Sequence, residues 1–399
     1  MSLDWLIIGG GIHGVHLATR LLGEGDVSPD ALRIVDPGEK LLERWLECTK
    51  ITGMRHLRSP SVHHLDIEPW SLKQYAGKKK RKRSGLFVRP YSRPALPLFN
   101  AHCKSVVEHF SLENLHIRAR AEDCSIDCDG VKIQLSTGHM VSAQNIVLAL
   151  GSSDEPHWPD WAPVDDLRVH HVFAPGFGGW PSNKEAVALV GGGISAGQIA
   201  LRLMKEQHEV HLISRHALRQ HQFDSDPGWL GPKFMRGFVR EQDLERRRAM
   251  ITEARHKGSV PPDVRRALIR AIEKGQLHWY EDEVATVATE TETLGIRLSS
   301  GVQIDAQRLL LATGFSSRRP GGLLIDRLIA SASLPCATCG YPIVDESLRW
   351  HPNIYVSGPL AELELGPTSR NIAGARRAAD RLVATIRSNS SVLLHQRAQ

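Results

Sequence analysis

Residues Asp4 to Gly14, Asp-Trp-Leu-Ile-Ile-Gly-Gly-Gly-Ile-His-Gly, leave a chain few ways to fold. The apolar run Trp5 to Ile8 reads as a buried strand that passes into Gly9, Gly11 and Gly14 in G-x-G-x-x-G spacing. The apolar stretch Val15 to Leu22 then continues as a helix. The first glycine permits a tight turn, the second lets the backbone approach a pyrophosphate, and the third lets helix and strand pack closely. The helix N-terminus offers phosphate its unpaired N–H groups and the positive end of the helix dipole. A second strand, Leu32 to Val35, ends in Asp36, the acid expected at an adenosine ribose hydroxyl. Strand, glycines, helix, strand and acid in this order describe a dinucleotide cradle rather than a glycine-rich turn.

The pattern returns downstream. Ala186 to Val190 runs into Gly191, Gly193 and Ala196, with Ser195 beside them, alanine being tolerated at the third position. The following strand, Glu209 to Ile213, ends in Ser214-Arg215, with no acid in the place of Asp36. A carboxylate repels a 2′-phosphate, whereas a guanidinium holds it through charge-assisted hydrogen bonds. Arg215 therefore assigns the second cradle to NADPH, the alternative being an exposed strand-end arginine. Two unlike cradles imply electron transfer between two cofactors, with FAD at the first and NADPH as hydride donor at the second.

Around the second cradle lies an internal repeat. Val131 to Leu135, a turn at Ser136 to Gly138, and Asn145 to Gly151 are echoed by Gly295 to Leu298, a turn at Ser299 to Gly301, and Arg308 to Gly314. Each copy reads as a hairpin followed by an apolar strand ending at a glycine, as expected where the chain returns to its own cofactor domain. The fold class is therefore α/β, with two Rossmann-like dinucleotide-binding domains, the NADPH domain being inserted into the FAD domain. The expected boundaries are 1–168 and 315–399 for the FAD domain and 169–314 for the NADPH domain. Helices are expected over 39–46, 98–110, 240–256, 262–274 and 370–386, the third and fourth as an insertion on the NADPH domain. The tail after Ser388 is expected to fray. The last strand, Asn353 to Gly358, feeds the final helix across a turn, which places Gly358, Gly366 and Asn371 near the flavin.

Composition narrows the class. The chain has 399 residues and 41% hydrophobic content, ordinary for two or three globular domains. No stretch approaches the roughly 20 apolar residues of a membrane span, and the N-terminus carries Asp4 and a cradle where a signal peptide would have a basic region and cleavage site. A cytoplasmic setting is expected. Six scattered cysteines make no disulfide scaffold. Much of the net charge of +6 comes from Lys78 to Arg83, read as a solvated loop rather than a nucleic-acid patch because no recognition pattern flanks it. Neither nucleic acid nor membrane is expected as a partner.

The stretch Met54 to Leu65 carries many arginines and histidines and follows the first cradle where a reactive ring would lie. Arg55, Arg58, His63 and His64 are candidates for contacting cofactor or substrate, the alternative being a surface loop whose histidines bond backbone. Neighbouring histidines point apart, so no metal site is expected there. Cys336-Ala-Thr-Cys339 is a C-x-x-C pair that, with Cys124 and Cys128, has zinc-binding and redox readings as well as that of a plain loop.

Together these residues resemble the two-dinucleotide-binding-domain flavoproteins, glutathione-reductase-like in fold, and within them the flavin-dependent monooxygenases. Leu311-Ala-Thr313-Gly314-Phe315 is similar to that group's Ala-Thr-Gly-aromatic signature. Met54 to Ser71, with the Pro-Tyr-Ser-Arg segment that follows, looks like the corresponding stretch of the ornithine and lysine N-hydroxylases. The F-x-G-x-x-x-H motif of the sulfoxidising and Baeyer–Villiger enzymes is missing; the nearest stretch, His170 to Trp180, lacks its spacing. The resemblance implies that NADPH reduces FAD, and that the reduced flavin captures O2 as a C4a-hydroperoxide to oxygenate a small nucleophile such as an amine. An NAD(P)H-dependent thiol or quinone reductase with Cys48 near the flavin is the competing enzyme reading, and a non-enzymatic flavin-binding sensor a third.

Overall fold

The computed structural model describes residues 3–78, 85–128 and 130–397, so most of the basic run lies outside the described residues. The chain opens with β1 (Leu3–Ile8), α1 (Ile12–Glu24), β2 (Leu32–Asp36), α2 (Glu43–Thr52), α3 (Leu96–His109), β3 (His116–Arg118) and β4 (Met140–Leu148). Leu6 and Ile7 are both fully buried, so β1 has no solvent face and its unbroken apolar run suits the middle of a parallel sheet. Ile7 lies opposite Ile34 of β2 on one side and Val147 of β4 on the other, both pairings parallel.

A second parallel sheet follows, from β5 (Val169–His171), β6 (Ala186–Val190), β7 (Glu209–Ser214), β8 (His278–Glu281) and β9 (Arg308–Leu311), in the order β8-β7-β6-β9-β5. Its crossover helix after the glycines is α4 (Ile194–Lys205). The chain then rejoins the first sheet through β10 (Ile354–Val356), which pairs with β4, and ends in α8 (Ile372–Arg397) packed along α1. The first sheet's order is thus Arg349–His351, β10, β4, β1, β2, β3. Parallel sheets fed by helices, with the second set of strands inserted in sequence between β4 and β10, give the expected α/β architecture.

The repeat is real but its copies close differently. In the first, the hairpin strand runs unbroken into the parallel sheet as β4; in the second, the antiparallel sheet of Val284–Ala288, Leu294–Leu298 and Gln303–Ala306 is separated from β9 by Gln307. The Gln307 side chain accepts a bond from Ala186 N at 2.6 Å and so ties that break to β6.

Three helix expectations need correcting. The helix expected from residue 39 starts at Glu43, because Leu42 takes a left-handed conformation (φ 65°) and donates its N–H to Gly10 O at 2.8 Å. The helix expected over 240–256 is α6, Leu244–Ala254, capped by Asp243, preceded by the unforeseen α5, Pro232–Arg240. Glycines 228, 231 and 237 hid α5; proline at its first position suits a helix start, and Met235 and Phe238 supply its buried face. The helix expected over 262–274 is α7, Pro262–Glu273, and α8 continues to Arg397 instead of fraying after Ser388.

Helices α5 and α6, with Trp229 before them, dock on the returning part of the first domain. Trp229, Met235, Phe238 and Ile251 pack with Ala337, Tyr341 and Leu363. Beside this apolar contact lies Glu362, whose side chain is fully buried. It accepts bonds from Arg370 at 2.7 and 2.9 Å and pairs with Arg248 of α6. Burial alone would raise its carboxyl, but the bonds from Arg370 and the charges of Arg370 and Arg248 hold it below the usual range. Removing one partner of such a group strands the others as buried charges. Glu362→Gln should therefore cost about 3–5 kcal/mol in denaturant unfolding, whereas an exposed change such as Glu273→Gln should leave the midpoint within error.

Candidate functional site

The first cradle is shaped by two backbone approaches. Gly9 has φ +115°, and a Cβ there would lie 2.6 Å from Ala149 O. A Cβ at Gly14 would run into the carbonyl oxygen of Gly9, so α1 can sit on the turn only with glycine in that place. A Cβ at Gly11, by contrast, would meet nothing within 4 Å. That open space over the N-terminus of α1, where Gly11 caps without a side-chain bond, fits a pyrophosphate. Asp36 accepts from Gly10 N at 2.6 Å and Gly38 N at 2.9 Å, one bond on each oxygen, which leaves lone pairs for ribose hydroxyls.

The second cradle repeats the geometry with one change. Gly191 (φ +152°) sits under Ala312 O, where a Cβ would lie 2.6 Å from that oxygen, as Gly9 sits under Ala149 O. At the third position Ala196 is fully accommodated, its methyl 3.1 Å from where a Gly191 Cβ would point. In the first cradle a Gly10 Cβ would lie 2.9 Å from the Asp36 side chain; in the second a Gly192 Cβ would lie 2.7 Å from the imidazole of His216. His216 therefore occupies the acid's place. Its Nδ1 lies 2.8 Å from Ala217 O, leaving Nε2 toward Gly192 and Gly258. Arg215 beside it is exposed, and Ser195 lies in the first turn of α4. Sequence reasoning missed His216 because it looked for one residue at the strand end.

The remaining sites fall in several places. Gly151 is exposed just beyond β4. Thr313 Oγ1 bonds His157 O at 2.5 Å and Gly314 O accepts from His157 N at 3.0 Å, so this signature braces the crossing between the two sheets. Gly358 (φ +67°) faces the ring of His13, which a Cβ there would meet at 3.6 Å, and His13 Nδ1 lies 2.8 Å from Ser357 Oγ. His13, inside the first glycine motif, thus joins the cradle to β10 and the start of α8. Burial pushes it down to about 4, so it is neutral, and its buried Nε2 has no partner among the described residues. Asn371 heads α8 and donates to Asp224 Oδ1 at 3.2 Å. Gly366 lies farther off, buried under Met235 and Phe238 of α5.

The arginine- and histidine-rich stretch divides. Arg55 is exposed. Arg58 is a clamp: it donates to the carbonyls of His221, Gln222 and Phe223, each at 2.8 Å, and to Ser259 Oγ at 2.9 Å. His64 is buried, accepting from Asp66 N and donating to Pro69 O, which is the backbone-bonding alternative. Half-buried His63 is pushed down to about 4 by burial and then by Arg376, whose guanidinium holds the carbonyls of His64, Asp66 and Ile67. His63 and His64 thus lie against α8. Cys48 sits on α2, packed toward the second domain's core, and burial raises its thiol. Among the described residues no group of three or more His, Cys, Asp or Glu side chains is placed to hold a metal.

What the fold brings together is a junction that no short motif announced. Ser225 bridges Arg255, and His256 N donates to Asp224 O at 2.7 Å, which sets the loop after β7 beside the end of α6. Asp224 reaches Asn371 at the first domain, and Arg58 grips the same loop from its other side. The rings of His221 and His256 stack at 3.7 Å.

Residues 6–153 match a family described as FAD-NAD(P)-binding, and residues 93–248 one described as pyridine nucleotide-disulphide oxidoreductase. No curated protein matches the sequence. Among solved structures, an ornithine N-hydroxylase from Kutzneria sp. 744 superposes with a TM-score of 0.77 at 16% identity, over 98% of this chain and 100% of that one. A cadaverine monooxygenase from Erwinia amylovora, bound to FAD, gives 0.74 at 16% identity over 97% and 94%. A bacillithiol disulfide reductase from Bacillus cereus gives 0.63 at 18% identity over 98% and 100%. The chain therefore has the fold of two-dinucleotide-domain flavoproteins, with FAD/NAD(P)-binding domains of the oxidoreductase type.

Two outcomes follow from this geometry. Arg215→Ala should raise the KM for NADPH about 10-fold, the worth of one charge-assisted bond, and change that for NADH little; steady-state kinetics with both donors reads the difference. His13, His64, His102 and His171 are all pushed to about 4 mainly by burial. The unfolded chain binds protons on these rings below their ordinary 6.5 while the folded chain does not. Stability is then full above pH 6.5 and should fall as pH drops toward 4, as urea midpoints across that window will show.

Proposed function

We propose that the chain is an FAD- and NADPH-dependent monooxygenase that hydroxylates the nitrogen of a small primary amine: R–NH2 + O2 + NADPH + H+ gives R–NHOH + H2O + NADP+. The observation that carries this reading is the full-length superposition on N-hydroxylating flavoproteins, closer than that on the disulfide reductase of like coverage. When bound, FAD supplies the two-electron reduction of O2, chemistry that no side chain can perform. The chain's own residues hold and orient. Gly9, Gly11, Gly14 and Asp36 grip the FAD pyrophosphate and ribose; Gly191, Gly193, Ala196, Arg215 and His216 do the same for NADPH. Gly358 and Asn371, with neutral His13 between them, border the flavin end of the first cradle. Asp224 and Asn371, joined at 3.2 Å where the insertion meets the first domain, border the place where the amine is received.

The reductase reading finds less support. Its residue, Cys48, has a thiol raised by burial, the reverse of what a nucleophile at neutral pH needs, and it stands alone on α2. All six cysteines are free, which suits the reducing cytoplasm, and no helix among the described residues is long and apolar enough to cross a membrane. Cys48→Ser should leave NADPH oxidation and its coupling to product within about 2-fold of wild type. The assay is a paired reading of NADPH consumed and hydroxylamine formed from L-ornithine, L-lysine, putrescine and cadaverine. Hydroxylamine from at least one amine is expected; loss of turnover in Cys48→Ser would restore the thiol reading.

A further inference from the structure

The outer side of the docked insertion carries a basic groove that neither cradle uses. Helices α5 and α8 border a recess of about 390 Å³, lined by Met235, Arg236, Val239 and Arg240 of α5 and by Arg377 and Arg381 of α8. Four guanidiniums line it and no carboxylate does. They come as two i, i+4 pairs, Arg236 with Arg240 and Arg377 with Arg381. Each helix thus sets two like charges on one face, an arrangement that opposes its own stability. A second recess on α5, bordered by Lys233, Arg236 and Arg240, extends the positive surface.

The neighbours do little to offset this charge. Arg381 bonds Glu364 at 2.6 Å, but that carboxylate also pairs with Arg247 at 3.3 Å. Arg377 bonds through Nη1 alone, to Leu365 O at 2.8 Å, Thr368 Oγ1 at 3.2 Å and Trp229 O at 3.5 Å, all neutral. Burial, then the charge of Arg381, depresses the Arg377 pKa, with Glu364 and Asp380 acting against this. Asp380 is itself taken by Arg20 at 2.7 Å. Arg236 and Arg240 are exposed, and their side chains make no hydrogen bond or ion pair among the described residues.

We propose that this groove binds a small phosphoryl-bearing anion, a phosphate or pyrophosphate ester, between α5 and α8. A guanidinium presents its N–H groups in a planar fork that matches phosphate oxygens, and several around one recess suit a group with more than one negative charge. Val239, 43% exposed, gives the rest of the ester an apolar wall. A lipid headgroup is not the source, because the apolar face of α5, Met235 and Phe238, is buried in the joint and has nothing to place in a bilayer. That joint is where the insertion docks on the first domain, so an anion held by both helices fastens α5 to α8. The site is independent of the amine-hydroxylation reading.

The test is isothermal titration with inorganic pyrophosphate of the FAD-loaded enzyme in saturating NADP+, so that both cradles are filled, at fixed ionic strength. One saturable site per chain is expected. The double change Arg236→Gln with Arg240→Gln should weaken it about 10- to 100-fold, the worth of lost charged hydrogen bonds. The matching change Arg266→Gln with Arg270→Gln, an exposed i, i+4 pair on α7, should leave it unaltered. Neither pair of side chains packs in the core, so FAD content and the unfolding midpoint should stay those of wild type. Hydrogen exchange in Pro232–Arg240 should slow with pyrophosphate in wild type and stay unchanged in the groove variant. Absence of a saturable site, binding that survives the groove change, or an equal loss in the α7 pair overturns the proposal. Citrate bound as tightly as pyrophosphate overturns the phosphoryl assignment, and binding without slowed exchange in α5 overturns the fastening.

Discussion

One buried carboxylate holds the working parts of this molecule in register. Glu362 stands on the chain's return to its first sheet, and its ligands come from both sides of a joint: Arg370 from the approach to α8, Arg248 from α6 in the insertion. With the Glu362 side chain fully buried, the charges are worth having only together, since an unpaired carboxylate there would be a large penalty. The apolar contact of Trp229, Met235 and Phe238 brings the insertion to the first domain, and the ion cluster fixes its orientation. From that orientation follow the positions of Asp224 against Asn371 and of Arg255 beside Glu362. The same residues that stabilise the docked insertion therefore also set where its loop meets the first domain.

The two cradles show how little of such a site is side chain. Their forms depend on where backbone can approach backbone: Gly9 under Ala149, Gly14 over Gly9, Gly191 under Ala312. The group beside the middle glycine then differs between them: Asp36 in one cradle, His216 with exposed Arg215 next to it in the other.

Such local features were legible in the sequence. Glycine spacing, the strand before it and the acid after it lie within a few dozen residues, and each has a single steric or electrostatic cause. The repeat was readable for the same reason, although Gln307 separates in one copy what β4 joins in the other. What sequence could not supply was convergence. Arg58, Asp224, Arg255 and Asn371 come from four distant segments, and none belongs to a spaced motif. The histidines of Met54 to Leu65 misled because composition cannot distinguish a ring facing a cleft from one bonding its own loop; His64 does the latter. Helix α5 was hidden by glycines that local propensity counts against a helix and that packing on Gly366 overrides.

The central claim is that reducing equivalents from NADPH are spent on placing one oxygen atom on an amine nitrogen. The most direct measurement is turnover of the FAD-loaded enzyme with NADPH under 18O2, followed by mass spectrometry of the amine product. A hydroxylamine two mass units heavier than that made under ordinary oxygen is expected, in amounts that track NADPH consumed. Label recovered only in hydrogen peroxide and water, with the amine unchanged, would contradict it.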